Sequence, residues 1–139
     1  MIYLDSNALV KLIREENESA QLITWLSVQP DGEFVSSALV EVEVPRALRR
    51  SQPAALGMVA AKLSQVARME MDAPIRATAA AYIDPLLRSL DALHLATAEN
   101  LVASGKHISA FVTYDKRLAA AATDAGLNVV APGASGNIE

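Results

Sequence analysis

Ala110-Phe111-Val112-Thr113, then Tyr114-Asp115, then Lys116-Arg117-Leu118 and an alanine-rich run to Ala125, then Gly126 and Leu127-Asn128-Val129-Val130: this stretch decides the fold. A β-favouring apolar run stops at a polar pair, a helical run closes on a glycine suited to a C-terminal cap, and a second apolar run follows at once. Strand, helix and strand joined this tightly form a βαβ unit, with parallel strands and a right-handed crossover.

The same alternation extends upstream. Ile2-Tyr3-Leu4 is a short apolar run cut off at Asp5-Ser6-Asn7, and Ala8, Leu9, Leu12 and Ile13 lay one apolar face along a helix to about Arg14. Ala20 to Val28 predicts a second helix, ended by the turn signal Pro30-Asp31-Gly32. Glu33 to Ser36 reads as a strand, Ala38 to Arg50 as a helix, and Pro53 to about Ala67 as another with Pro53 in its first turn. Arg68 to Met71 is a short strand, and Ile75 to Tyr82 and Leu90 to Ser104 are helices, the latter capped by Gly105. The fold class is α/β, with a central, mostly parallel sheet covered by helices on both faces. Residues 1–131 make one domain without internal repeat or linker. Residues 132–139, small and polar, form a loose, flexible tail.

Composition narrows the function. The 139 residues are 52% hydrophobic and 20% charged with no cysteine, so disulfide scaffolds, thiol nucleophiles and thiolate metal sites are excluded. A chain of this length buries roughly two-thirds of its unfolded surface and needs no staple. No apolar run reaches the ~20 residues of a membrane span, and the start lacks the basic and apolar segments of a signal peptide, which points to a cytoplasmic protein with no membrane contact. The net charge of −4 removes any simple electrostatic case for nucleic-acid binding.

The acidic residues carry the chemistry. In open parallel sheets, ligands gather at the carboxyl ends of the strands. Asp5 directly follows the first strand and Asp115 closely follows the strand ending at Thr113, so both reach the same sheet edge. Either Asp alone reads as a helix N-cap, and a cap can also serve a site. Glu43 falls in a stripe with Leu39, Val40 and Ala47, and Asp91 in one with Leu87, Leu95 and Ala98. A carboxylate on a buried face is costly unless paired or metal-bound. The alternatives are an exposed side chain for Glu43 and first-turn dipole compensation behind an N-capping Ser89 for Asp91. Two carboxylates about 5 Å apart repel by roughly 3 kcal/mol at an effective dielectric of 20. Four together without a basic partner would protonate or splay, and a hard divalent cation with oxygen ligands, Mg²⁺ or Mn²⁺, resolves this. Metal-assisted phosphodiester hydrolysis is the matching chemistry.

Four segments carry a family resemblance. Ile2 to Leu9, Ser36 to Val44, Arg88 to Ala98 and Phe111 to Leu118 resemble, in order, the four motifs of PIN-domain nucleases, and within that family the VapC toxins of bacterial toxin–antitoxin pairs. The resemblance implies a three-layer α/β/α PIN-like fold, a homodimer, Mg²⁺- or Mn²⁺-dependent endoribonuclease activity leaving 5′-phosphate and 3′-hydroxyl ends, and inhibition by a small VapB-like antitoxin. It carries over Asp5, Glu43, Asp91 and Asp115 as the catalytic acids. Asp5 and Asp91 would bind metal directly, while Glu43 and Asp115 would complete the pocket, often through water. Ser6 and Thr113 match hydroxyl positions near the metal. Pro45 departs from the pattern and should kink the helix that aims Glu43. Glu41 competes with Glu43, but about 200° of helical rotation separates them, so only one can face a pocket.

Other residues have plainer readings. His94 lies one turn from Asp91 and reads as a core histidine hydrogen-bonded within its helix stripe. Arg46, Arg49 and Arg50 share a helix face that is solvated or follows an RNA backbone. Trp25, with Leu22, Ile23 and Leu26, fits either core or an antitoxin-helix interface. A haloacid-dehalogenase-type phosphatase would want an Asp where Asn7 stands, and a receiver domain would want paired acids before Asp5. A degenerate PIN domain that only binds a partner is disfavoured by the four acids.

Overall fold

The computed structural model describes residues 1–134. Five strands, β1 (Ile2–Leu4), β2 (Phe34–Ser37), β3 (Ala67–Met69), β4 (Ala110–Val112) and β5 (Val129–Val130), form one sheet in the order β3-β2-β1-β4-β5. Every pairing is parallel, with Ile2 beside Phe34 on one side and beside Ala110 on the other. The chain begins at the centre, builds outward to β3, then crosses back to lay β4 on the other side of β1. The order therefore reverses between β1 and β4, and open α/β sheets form a ligand crevice outside the carboxyl ends of such strands.

Strand alternation produces the layers. Ile2 and Leu4 point to one face with Ala110 and Val112, where α1 (Ser6–Ile13), α2 (Ser19–Ser27), α3 (Val40–Ser51) and α4 (Val59–Leu63) contribute Leu9, Leu22, Val44, Leu48 and Leu63 to one core. Tyr3, Val35 and Phe111 point to the other face, against Leu95 and Ala98 of α6 (Ser89–Ala103) and Leu118 and Ala122 of α7 (Lys116–Asp124). The remaining helix, α5 (Ala73–Ala81), packs on α6. Two helical layers thus enclose the sheet, as expected. Among the described residues, no helix is long and apolar enough to cross a membrane.

Several boundaries differ from the sequence reading. The single helix expected from Pro53 is a 3₁₀ segment, Pro53–Met58, that passes into the five-residue α4. Gly57 near the joint lowers helix propensity where a continuous helix would need it. The third strand comes one residue earlier than expected, and α5 starts at Ala73 because the Asp72 side chain caps it, accepting from the Ile75 N–H at 3.2 Å. Ser89 is not a cap but the first residue of α6. Of the tail expected from residue 132, Pro132 is tied down by Tyr114, whose hydroxyl donates to its carbonyl at 2.8 Å. Gly133 has φ +84° and lies so close to Gln21 that a Cβ would clash. The rest of the tail, residues 135–139, lies outside the described residues.

Candidate active site

Asp5 sits where β1 becomes α1 and is only 3% exposed. One carboxylate oxygen caps α1, accepting from the Ala8 N–H at 2.9 Å, and the other accepts from the Thr113 hydroxyl at 2.6 Å. The cap and the site occupant are therefore one side chain. Burial pushes the Asp5 carboxyl above its ordinary value, and the charge of Asp91 adds to this against the opposing effects of His94, Thr113 and Ala8.

Glu43 reaches the same region from α3. Its Oε1 accepts from the Ser6 hydroxyl and lies 3.1 Å from His94 Nε2. Burial would raise this carboxyl, but the bonds from His94 and Ser6 outweigh it and hold Glu43 below the usual range. The helix runs on through Pro45 to Ser51. Glu41, on the other side of α3, is exposed and pairs with Arg68 at 3.0 Å.

Asp91 lies in the first turn of α6, where the N-terminal end of the helix favours an anion. Its carboxyl is nonetheless pushed up, first by burial and then by Asp115, with Arg88 pulling the other way. Asp115 caps α7 through the Leu118 N–H at 2.9 Å. The Arg88 guanidinium bridges the two acids, 3.5 Å from Asp91 and 3.1 Å from Asp115, with its side chain 65% exposed.

A cleft of about 430 Å³ opens here, lined by Asp5, Ser6, Glu43, Arg88, Asp91 and His94 among others. It lies beside the carboxyl end of β1, and Thr113 ties Asp5 to the chain just beyond β4. The donors are carboxylate and hydroxyl oxygens, which suits a hard divalent cation and not a soft one. No three of the acids and histidines stand together as a ready-made ligand set among the described residues. The fit is therefore one of donor chemistry and of anionic carboxylates held at a cost, since a cation in the cleft would relieve the burial of Asp5 and Asp91.

This order of elements, with acids of β1, α3, α6 and the β4–α7 joint brought to one sheet edge, coincides with a match to the PIN domain over residues 2–124. The chain belongs to the PIN-domain family. Among its PIN relatives, ribonuclease VapC35 of Mycobacterium tuberculosis is 52% identical over 133 residues, spanning 96% of this chain and 98% of that protein. Ribonuclease VapC47 of the same organism is 36% identical over 137 residues, spanning 96% of this chain and 98% of that one. The solved structure of M. tuberculosis VapC20, described as a sarcin–ricin loop cleaving toxin, has a TM-score of 0.72 at 18% identity, covering 95% of this chain and 100% of that one. A chain of a toxin–antitoxin complex from Klebsiella pneumoniae has a TM-score of 0.68 at 19% identity, covering 95% and 98%. The two structural neighbours speak for the PIN fold alone, whereas the curated relatives place the chain among the VapC ribonucleases.

Within this PIN domain, two residues depart from their sequence reading. His94 is buried but not satisfied within its own helix, because its nitrogens reach Tyr3, Ser6 and Glu43. The acids have a basic partner after all in Arg88, whose role depends on a side chain reaching across from the α5–α6 loop to α7 and leaves no periodic signal. Arg46, Arg49 and Arg50 are exposed on α3 and lie outside the cleft lining. Leu22 is fully buried core, while its neighbour Ile23 is 53% exposed.

Proposed function

We propose that this VapC-family ribonuclease is the toxin of a toxin–antitoxin pair, an endoribonuclease dependent on Mg²⁺ or Mn²⁺ that hydrolyses RNA phosphodiester bonds. The observation that carries this is the convergence of Asp5, Glu43 and Asp91, from three separate segments, on one cleft with Asp115 at Arg88's other end. Asp5 and Asp91 would hold the metal. When bound, Mg²⁺ or Mn²⁺ polarises the scissile phosphate and acidifies the attacking water. Glu43, kept ionised, orients that water and accepts its proton, while Thr113 and the α1 cap fix the direction of Asp5. Asp115 completes the acidic wall, and the exposed Arg88 is placed to meet a phosphate. Arg46, Arg49 and Arg50 would follow the RNA backbone.

The protein would act as a homodimer in the cytoplasm, neutralised by a VapB-like antitoxin. A shallow apolar groove of about 240 Å³, lined by Leu12, Ile23, Leu26, Phe34 and Val66, suits one face of an amphipathic antitoxin helix. The rival readings, a phosphatase of another α/β family and a PIN domain that only binds, predict no RNA cleavage.

The deciding experiment is cleavage of end-labelled single-stranded RNA with Mg²⁺, with Mn²⁺ and with EDTA. Metal-dependent products ending in 3′-hydroxyl support the reading, whereas undiminished cleavage in EDTA or 2′,3′-cyclic phosphate ends overturn it. In the same assay Glu43→Gln should lower kcat by about 100-fold or more, while Glu41→Ala, out in solvent with Arg68, should change it less than about threefold. Replacing Arg46, Arg49 and Arg50 together by Ala should raise KM with little change in kcat. It should also flatten the salt dependence by about 0.7 per lost phosphate contact; an unchanged salt slope places that face outside the RNA path.

A further inference from the structure

His94 is 1% exposed and belongs to a helix whose other buried polar side chain, Thr97, bonds locally to the Leu93 carbonyl. His94 does not. Its Nδ1 lies 2.8 Å from the Tyr3 hydroxyl on β1, and its Nε2 lies 3.1 Å from Glu43 Oε1 and 3.0 Å from Ser6 Oγ. A leucine would fill this volume without requiring three polar partners on three other segments.

The partners fix which nitrogen carries the proton. Tyr3 is fully buried, stacked on Phe111 at 5.0 Å and edge-on to the His94 ring at 5.8 Å, with its hydroxyl against Nδ1. The Glu43 carboxylate, held below its usual range, has no proton to donate, so its contact with the ring requires a proton on Nε2 and leaves Nδ1 of a neutral ring to accept from the Tyr3 hydroxyl. An Nδ1 that accepts places the proton of a neutral ring on Nε2, facing Glu43. Ser6 donates to the same carboxylate oxygen, so two donors pin one oxygen and leave the other free for the cleft.

We propose that His94 is a positioning residue, its tautomer set by Tyr3, which holds the Glu43 carboxylate at the angle needed to orient the attacking water. The role rests on Glu43 acting as described under the proposed function, but the hydrogen-bond chain stands without it. A carboxylate on a mobile Glu side chain gains rate only if its direction is fixed before the substrate arrives.

The first test needs neither RNA nor metal. The chain has two histidines, so long-range ¹H–¹⁵N spectra with His107→Gln as the assignment control isolate the His94 ring. A proton on Nε2, with tautomers mixed by Tyr3→Phe, is the expected result; an Nε2 without a proton overturns the proposal even if the enzyme cleaves RNA. The second test is kinetic. His94→Leu should lower kcat about 30-fold with KM within about twofold, and His94→Gln, which retains an N–H donor, should recover most of it. On a Glu43→Gln background His94→Leu should cost less than about twofold, because the residue it acts through is already disabled. Additive losses overturn the proposal, as does His94→Leu retaining the parent kcat. Should His94→Leu fail to fold, the cycle is run with Tyr3→Phe, which removes the hydroxyl that Nδ1 faces. Absence of any ribonuclease activity overturns the functional reading and leaves the spectroscopic result to decide the hydrogen-bond chain.

Discussion

Asp5→Asn is expected to abolish RNA cleavage, by about 1,000-fold or more, while leaving the protein folded and more heat-stable than the parent. Both effects have the same cause. The Asp5 carboxyl is pushed above its ordinary value by burial, so ionising it costs the folded state free energy that the unfolded chain does not lose. The penalty is fully present above the folded-state pKa and vanishes as pH falls below the unfolded value of 3.8. Asparagine carries no charge at any pH and caps a helix as well as aspartate does, so the Ala8 bond survives. The melting temperature should therefore rise at neutral pH, by roughly 3 °C per kcal/mol relieved in a domain of this size, and the gain should shrink on acidification. Loss of a carboxylate proposed to hold the metal would remove several kcal/mol of transition-state stabilisation. Asp91→Asn, relieved of burial and of Asp115, should behave in the same way. Thermal unfolding and single-turnover cleavage check both halves, and parent-like rates in either variant remove these residues from the site.

The second large effect is stabilisation by metal. Mn²⁺ is expected to bind the folded cleft and not the dispersed acids of the unfolded chain. At a hundredfold excess over Kd it should add about 2.7 kcal/mol, or roughly 8 °C of melting temperature. The shift should disappear in Asp5→Asn and Asp91→Asn and persist in Glu41→Ala. A melting temperature indifferent to millimolar Mn²⁺ would remove the cation from this site. Arg88 sharpens the expectation, since its guanidinium already neutralises part of Asp91 and Asp115; a cation at Asp91 has to compete with it.

The sheet, its parallel strands and both helical layers were legible because burial on two faces imposes periodicities that a single sequence displays. The Asp5 and Asp115 caps were legible because each lies directly between a strand and a helix. Helical rotation allows only one of Glu41 and Glu43 to face a pocket, the apolar stripe of α3 favours Glu43, and Glu43 is the one that reaches the cleft. The 3₁₀ segment at Pro53–Met58 escaped because Gly57 and the helical run around it argue in opposite directions. Arg88 and His94 escaped for a deeper reason. Each owes its role to partners 27 to 91 residues away, and nothing in local spacing distinguishes a histidine that packs from one that bridges two elements.

Because β1 is central and its neighbours are β2 and β4, the hollow that would cut RNA has no precursor in an unfinished polypeptide. Asp5 directly follows the first strand, yet Thr113, which aims it, lies more than a hundred residues further along the chain. Contacts of such long sequence separation form late. A chain cut short before β4 lacks the Thr113 hydroxyl that aims Asp5, so the cleft is complete only once the last strands have joined β1.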